Sequence, residues 1–258
     1  MSVAAPATTS AVVALRHRRS VRRLSAGQLG DLREAFSKAQ KIKDDRGYQA
    51  QAGIHGLPLP ESCRHHSQLF LPWHRAYLYF FEKTLQERVP GVTLPWWDWT
   101  LDHGVGIPPA YKKAPLLSSP IQPSGRRFPN EKRTWRQSGL PSWLPTRQQV
   151  NSVLANKSFA IFQSQLEGIH NGIHGWVGGT MNSPEVAAYD PIFWAHHSMI
   201  DRLWYLWQLR NQAVVLPHDY LETALPPFPM TVRQTLEITR LGYDYAAATA
   251  AVPGTSGG

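Results

Sequence analysis

The stretch from Asp190 to Asn211, DPIFWAHHSMIDRLWYLWQLRN, is strongly apolar and still carries two adjacent histidines, His196 and His197. A helix that is hydrophobic around its circumference must be buried around its circumference. An imidazole taken into such surroundings needs partners, because an unpaired buried polar group costs about 1–3 kcal/mol. This one segment therefore demands a shell of other elements and something polar or metallic to meet its first turns. Asp190 and Pro191 supply its start, a capping carboxylate followed by a first-turn proline.

Other segments offer the helices that such a core requires. Residues 25–46 place Leu29, Leu32, Phe36 and Ala39 at helical spacing behind Ser25, a capping residue. Residues 47–71 hold Gly53, Gly56, Pro58 and Pro60 without a period and read as an ordered loop, which contains His55 and His65. A second helix is predicted to open at Pro72, with His74, Tyr77, Leu78, Phe81 and Leu85 on one stripe. Residues 89–147 read as long packed loops, and 148–174 as two helical pieces, the second running from Phe159 to His174 and stopping at Gly175 and the Gly178-Gly179 pair. A loop over 175–189 leads to the apolar helix, and 212–245 are connecting segments.

The expectation is a mainly α, single-domain protein. Its 258 residues, 42% hydrophobic content and ten tryptophans suit one aromatic-rich core. The boundaries are an N-terminal arm at 1–19, a folded domain at 20–246 and a flexible, low-complexity tail at 247–258. No run of 18 apolar residues suggests a membrane span. The N-terminal basic cluster follows the apolar stretch, the reverse of a signal peptide, so the chain is expected to be cytoplasmic as encoded, with any export left to a partner. The formal charge of +9 is spread along the chain without a recognition motif, which argues against nucleic acid as a partner. A single cysteine, Cys63, leaves no internal disulfide.

The histidines are the chemistry-bearing residues. His170 and His174, four apart on a predicted helix, project from one face and can grip one metal ion. His197 offers a third ligand. In the first half, His74 lies in the first turn of an apolar helix fed by the loop holding His55 and His65, which makes a second group of three. All-imidazole sites suit zinc, copper, iron or nickel, and the lack of thiolates and ligand carboxylates argues against structural zinc and non-haem iron. Copper and zinc both remain open on the residues alone.

The segments HHSQLFLPWHRAYL (65–78), LPWWDW (94–99), LEGIHNGIHGWVGGTM (166–181) and DPIFWAHHSMIDRLW (190–204) together resemble the tyrosinase and catechol oxidase family of binuclear copper proteins. The resemblance spans about residues 20–245. It implies a four-helix bundle with long irregular loops, housing two copper ions, one held by His55, His65 and His74 and the other by His170, His174 and His197. His197 is chosen over His196 because the family uses the second histidine of the pair, and His66 is the nearest competitor of His55. The implied activity is hydroxylation of monophenols to o-diphenols and oxidation of o-diphenols to o-quinones with dioxygen. The partners are then a phenolic small molecule and dioxygen, and the resemblance also allows a copper-delivery protein.

The same resemblance gives Glu167 and Asn171 the task of holding a water that takes the phenolic proton. Phe193, Pro184 and Gly175 are the expected substrate contacts, and the loop 180–189, with Asn182, Ser183 and Pro184, is expected to roof an accessible pocket. Cys63, two residues before His65, resembles a cysteine that forms a thioether to the histidine ring in fungal members. Tyr243-Asp244-Tyr245 resembles a closing motif that pairs with an arginine near the domain start, here Arg22 or Arg23. The thirteen residues after Tyr245 are too few for the C-terminal domain that covers the site in larger relatives. Other readings stand beside this one: a catechol oxidase or o-aminophenol oxidase without monophenol hydroxylation, an oxygen carrier of the hemocyanin type, and a zinc hydrolase or metal-stabilised structural protein.

Overall fold

The computed structural model describes residues 15–57, 63–101, 105–121 and 132–246. The tail expected at 247–258 and the arm up to residue 14 lie outside the described residues. Four long helices carry the domain: α1 (Ala26–Lys41), α3 (Phe70–Gln86), α5 (Phe159–Val177) and α6 (Pro191–Arg210). Between and after them come α2 (Tyr48–Gly53), α4 (Arg147–Leu154), α7 (His218–Leu221) and α8 (Val232–Thr235), and a parallel pair of short strands, β1 (Arg16–Arg18) with β2 (Tyr243–Tyr245). Among the described residues, no helix is long and apolar enough to cross a membrane.

Local chemistry explains the boundaries. The Ser25 hydroxyl accepts from the Gln28 amide at 3.2 Å while the Gln28 side chain accepts from the Ser25 amide at 3.0 Å, a reciprocal cap that starts α1. Leu32, Ala35, Phe36 and Ala39 then form its buried stripe. The Asp190 carboxylate accepts from the Ile192 amide at 3.0 Å and opens α6, and Arg136 clamps that same carboxylate. Sixteen of the seventeen positions of α6 from Pro191 to Trp207 are buried, all but Tyr205, as its composition demands. The Trp194 ring stacks on Phe81 of α3 at 3.5 Å, one of the contacts that sets these two helices side by side.

Three expectations about elements are corrected. The loop at 47–71 contains a helix, α2, too short to show a period. The helix expected from Pro72 starts at Phe70, with Pro72 still inside the first turn where its missing N–H is harmless. The histidine helix runs past Gly175 to Val177 and ends at Gly178, which takes φ +65; a Cβ there would lie 2.5 Å from the Gln137 carbonyl oxygen.

The arginine that pairs with the Tyr243-Asp244-Tyr245 segment is Arg18, not Arg22 or Arg23, which are exposed. Arg18 is fully buried, stacks over the Tyr243 ring at 3.7 Å, and bonds Glu82 at 2.9 Å and Asp201 at 3.3 Å. Asp201 of α6 is the hub. One oxygen accepts from Arg75 at 2.5 Å and the other from Tyr243 at 2.8 Å and Tyr245 at 2.5 Å. Two arginines and two carboxylates thus neutralise one another beneath the helices, and the residues expected as the end of an arm, Arg16 to Arg18, are built into the domain.

Candidate metal centre

Three of the long helices bring histidines to one point in the core. α3 contributes His74; α5 contributes His170 and His174, one turn apart; α6 contributes His196 and His197. The segment after α2 adds His55, and the loop before α3 adds His65. The imidazoles of His74 and His197 stack at 4.6 Å and those of His65 and His170 approach to 5.5 Å, so the two groups form one cluster.

Hydrogen bonds at Nδ1 decide what each ring offers. His174 donates to the Met181 carbonyl at 2.7 Å, His55 to the Pro184 carbonyl at 2.8 Å, His74 to the Phe70 carbonyl at 2.8 Å, and His170 to Asn171 Oδ1 at 2.9 Å. A neutral imidazole that donates through Nδ1 keeps its lone pair on Nε2, and outer partners of this kind orient metal-binding rings. His65 Nδ1 lies 3.3 Å from Cys63 Sγ.

The Nε2 atoms meet in two sets. His197 Nε2 is 3.2 Å from His170 Nε2 and 3.3 Å from His174 Nε2. Bonds of about 2.0 Å from one ion, at tetrahedral angles, would separate such nitrogens by about 3.3 Å. In the other set, Nε2 of His55, His65 and His74 are buried without a partner, and the ring centroids stand 5.3–5.7 Å apart. Three orphaned acceptors side by side are costly unless a cation occupies the space between them.

His196 differs. Its Nδ1 accepts from the Trp99 indole at 3.2 Å, which puts its proton on Nε2 and leaves no free lone pair for a metal. Proximity alone would group it with His170, His174 and His197, and the hydrogen bond sets it apart.

Burial is the main cause of a common electrostatic state. It pushes the pKa of His55, His74, His170, His196 and His197 well below the ordinary value, with neighbouring imidazoles adding to the effect. His65 and His174 are lowered to about 4, again chiefly by burial. The cluster is neutral at pH 7, as metal ligation requires.

A cavity of about 340 Å³ opens over the rings, lined by His55, His65, His66, His170, Asn171, His174, Met181, Asn182 and Pro184. Pro184 is therefore in the wall, and Gly175 is exposed beside Asn182. Phe193 is fully buried beneath the cluster, 4.0 Å from the His197 ring and 5.0 Å from His55, and is not among the lining residues. His55 is 1% exposed, whereas His66 is exposed at the rim with φ +53. Glu167, nearly buried, accepts the His66 amide at 2.6 Å. Sequence reasoning missed Met181 and Trp99 as partners of the histidines. The Met181 carbonyl leaves no sequence signal, while Trp99 stood unassigned in LPWWDW.

A family model described as the common central domain of tyrosinase matches residues 45–210. The chain belongs to the tyrosinase family. It is 35% identical to a tyrosinase of Streptomyces antibioticus over 182 residues, covering 58% of this chain and 66% of that protein. It is 32% identical to an A-type hemocyanin of Enteroctopus dofleini over 225 residues, covering 74% of this chain and 18% of that protein. Among solved structures, a functional unit of octopus hemocyanin superposes with a TM-score of 0.80 at 28% identity, covering 90% of this chain and 68% of the other. A tyrosinase from Burkholderia thailandensis superposes with a TM-score of 0.78 at 26% identity, covering 94% of this chain and 74% of the other. Members of this family bind a binuclear copper site, and the two histidine trios described above are consistent with one.

Proposed function

We propose that this chain binds two copper ions, one at His55, His65 and His74 and one at His170, His174 and His197, and uses dioxygen to hydroxylate monophenols and to oxidise o-diphenols to o-quinones. The observation that carries this reading is the cavity of about 340 Å³ lying directly over the imidazoles. Carrying dioxygen needs room for two atoms, and this space admits an aromatic ring. When bound, copper supplies the redox chemistry with dioxygen.

The chain's own residues do the rest. The carbonyls of Phe70, Met181 and Pro184 and the Asn171 amide hold the rings with Nε2 forward. Phe70, Trp73 and Phe193 pack against those rings and keep water from behind them. Pro184 and Asn182 guide a phenol from the cavity wall, and Gly175 keeps the approach beside Asn182 clear. Phe193 acts from below, by fixing His55 and His197. Glu167, one helical turn before His170, accepts the phenolic proton through a water shared with the free amide group of Asn171. A phenolic compound and dioxygen are the partners, with a copper-delivery protein as a further one.

Adding tyrosine and catechol separately to copper-loaded protein tests this. Quinone from both is expected, and Glu167→Gln should depress tyrosine turnover more than catechol turnover. Quinone from catechol alone rejects the hydroxylation step. Quinone from neither favours the second reading, hemocyanin-like oxygen binding, which the 32% identity to octopus hemocyanin over 74% of this chain supports.

A further inference from the structure

His66 and Asn171 have cavities on both sides. One is the space over the imidazoles; the other, of about 450 Å³, is lined in addition by Ser67, Gln68, Gln163, Ser164, Glu167 and Gly168. Gln163, Glu167 and Asn171 are spaced by four along α5, so they lie on one line of the helix. The second cavity therefore follows α5 away from the metal centre, and the rise from Asn171 to Gln163 is about 12 Å.

Its walls place hydroxyls, amides and one carboxylate among apolar surface that includes Ala160. Gln163 is 5% exposed. Its Nε2 donates to the Ser67 carbonyl at 2.9 Å, which fixes the direction of the amide, and its Oε1 is buried with no partner. A buried acceptor of this kind is costly unless an N–H or O–H reaches it. Gly168 keeps the groove open, since a Cβ placed there meets nothing within 4 Å. The Glu167 carboxylate, which accepts the His66 amide and so fixes the turn separating the two spaces, disfavours an anionic tail nearby.

We propose that this second cavity is a subsite for the main chain of a peptide whose tyrosine enters the imidazole pocket, with a peptide N–H donating to Gln163 Oε1. An extended peptide advances about 3.4 Å per residue, so a few residues flanking the tyrosine span the groove, while a simple phenol stays within the first pocket. The inference rests on the phenol-oxidising reading above, because it assigns the first pocket to the phenol ring.

Calorimetric titration of copper-loaded protein under anaerobic conditions separates the claims, because ligands bind without turnover. The ligands are p-cresol and the acetylated, amidated tripeptide Ala-Tyr-Ala. Gln163→Leu removes the acceptor, and Gly168→Leu fills the groove at a position with no neighbour to clash. Both variants should bind the tripeptide roughly tenfold or more weakly, while Gly168→Leu binds p-cresol within about twofold of the parent. Unchanged tripeptide affinity in Gly168→Leu, or an equal loss for p-cresol, overturns the subsite. Aerobic assay of the parent with p-cresol and catechol then isolates the other reading. Selective peptide binding without quinone from either phenol rejects the oxidase and keeps the subsite; quinone from p-cresol with an unselective Gly168→Leu does the reverse.

Discussion

Acidifying the metal-free protein should unfold it between about pH 6 and pH 5. Seven imidazoles, those of His55, His65, His74, His170, His174, His196 and His197, are held neutral in the core, with burial the first cause and repulsion from neighbouring imidazoles adding to it. In the unfolded chain each titrates near 6.5. Between that value and the lower folded ones, the unfolded chain binds protons that the folded chain refuses. Stability is therefore full above about pH 7 and falls as the pH falls. At pH 5.5 each imidazole costs on the order of 1 kcal/mol, so seven together reach the range of the 5–15 kcal/mol that holds a domain together. Copper-loaded protein should persist to lower pH, because protons must then displace the metal. Tryptophan fluorescence and near-ultraviolet circular dichroism, recorded against pH before and after chelation, measure both midpoints. A metal-free midpoint below pH 4.5, or a transition that takes up a single proton, would refute the reasoning.

Asp201→Asn should cost about 3–5 kcal/mol, because it leaves Arg18 and Arg75 buried with one carboxylate between them; denaturant unfolding of the loaded protein checks this, and a loss under 1 kcal/mol would deny the hub its role. The two arginines outweigh burial and hold the Asp201 carboxyl below its ordinary value, so its contribution is complete above about pH 4 and disappears only in stronger acid. His197→Gln should lower the copper content towards one ion per chain, whereas His196→Gln should retain two; the opposite order in metal analysis would show that the Trp99 hydrogen bond does not decide which ring ligates. Cys63 Sγ lies 3.3 Å from the His65 ring, and a thioether there would make the intact mass lighter by two hydrogens, a difference that Cys63→Ala abolishes; a full-weight mass for the copper-loaded protein excludes the bond.

Much of the fold and its site was legible in the sequence because the signals are local. Ser25 with Gln28 and Asp190 with Pro191 mark helix starts through side chains that reach only a few residues. The four-residue spacing of His170 and His174 puts two rings on one face of any helix that forms there. Arg18 was not legible. Nothing separates it from the arginines around it until β1 pairs with β2 and carries it under α6, onto an aspartate 183 residues away.

By itself the sequence determined a mainly helical domain with buried histidines in two halves, since caps, periodicity and hydrophobicity depend on neighbours along the chain. Only the tertiary structure decided which nitrogen each ring presents. The acceptors that set Nε2 forward include the carbonyls of Met181 and Pro184, and the donor that withdraws His196 is Trp99, 97 residues distant. A carbonyl is common to every residue, so its role depends on where the fold brings it. The apolar helix with its two adjacent histidines thus required partners from the outset, and packing made one of those histidines a candidate ligand and the other its hydrogen-bonded neighbour.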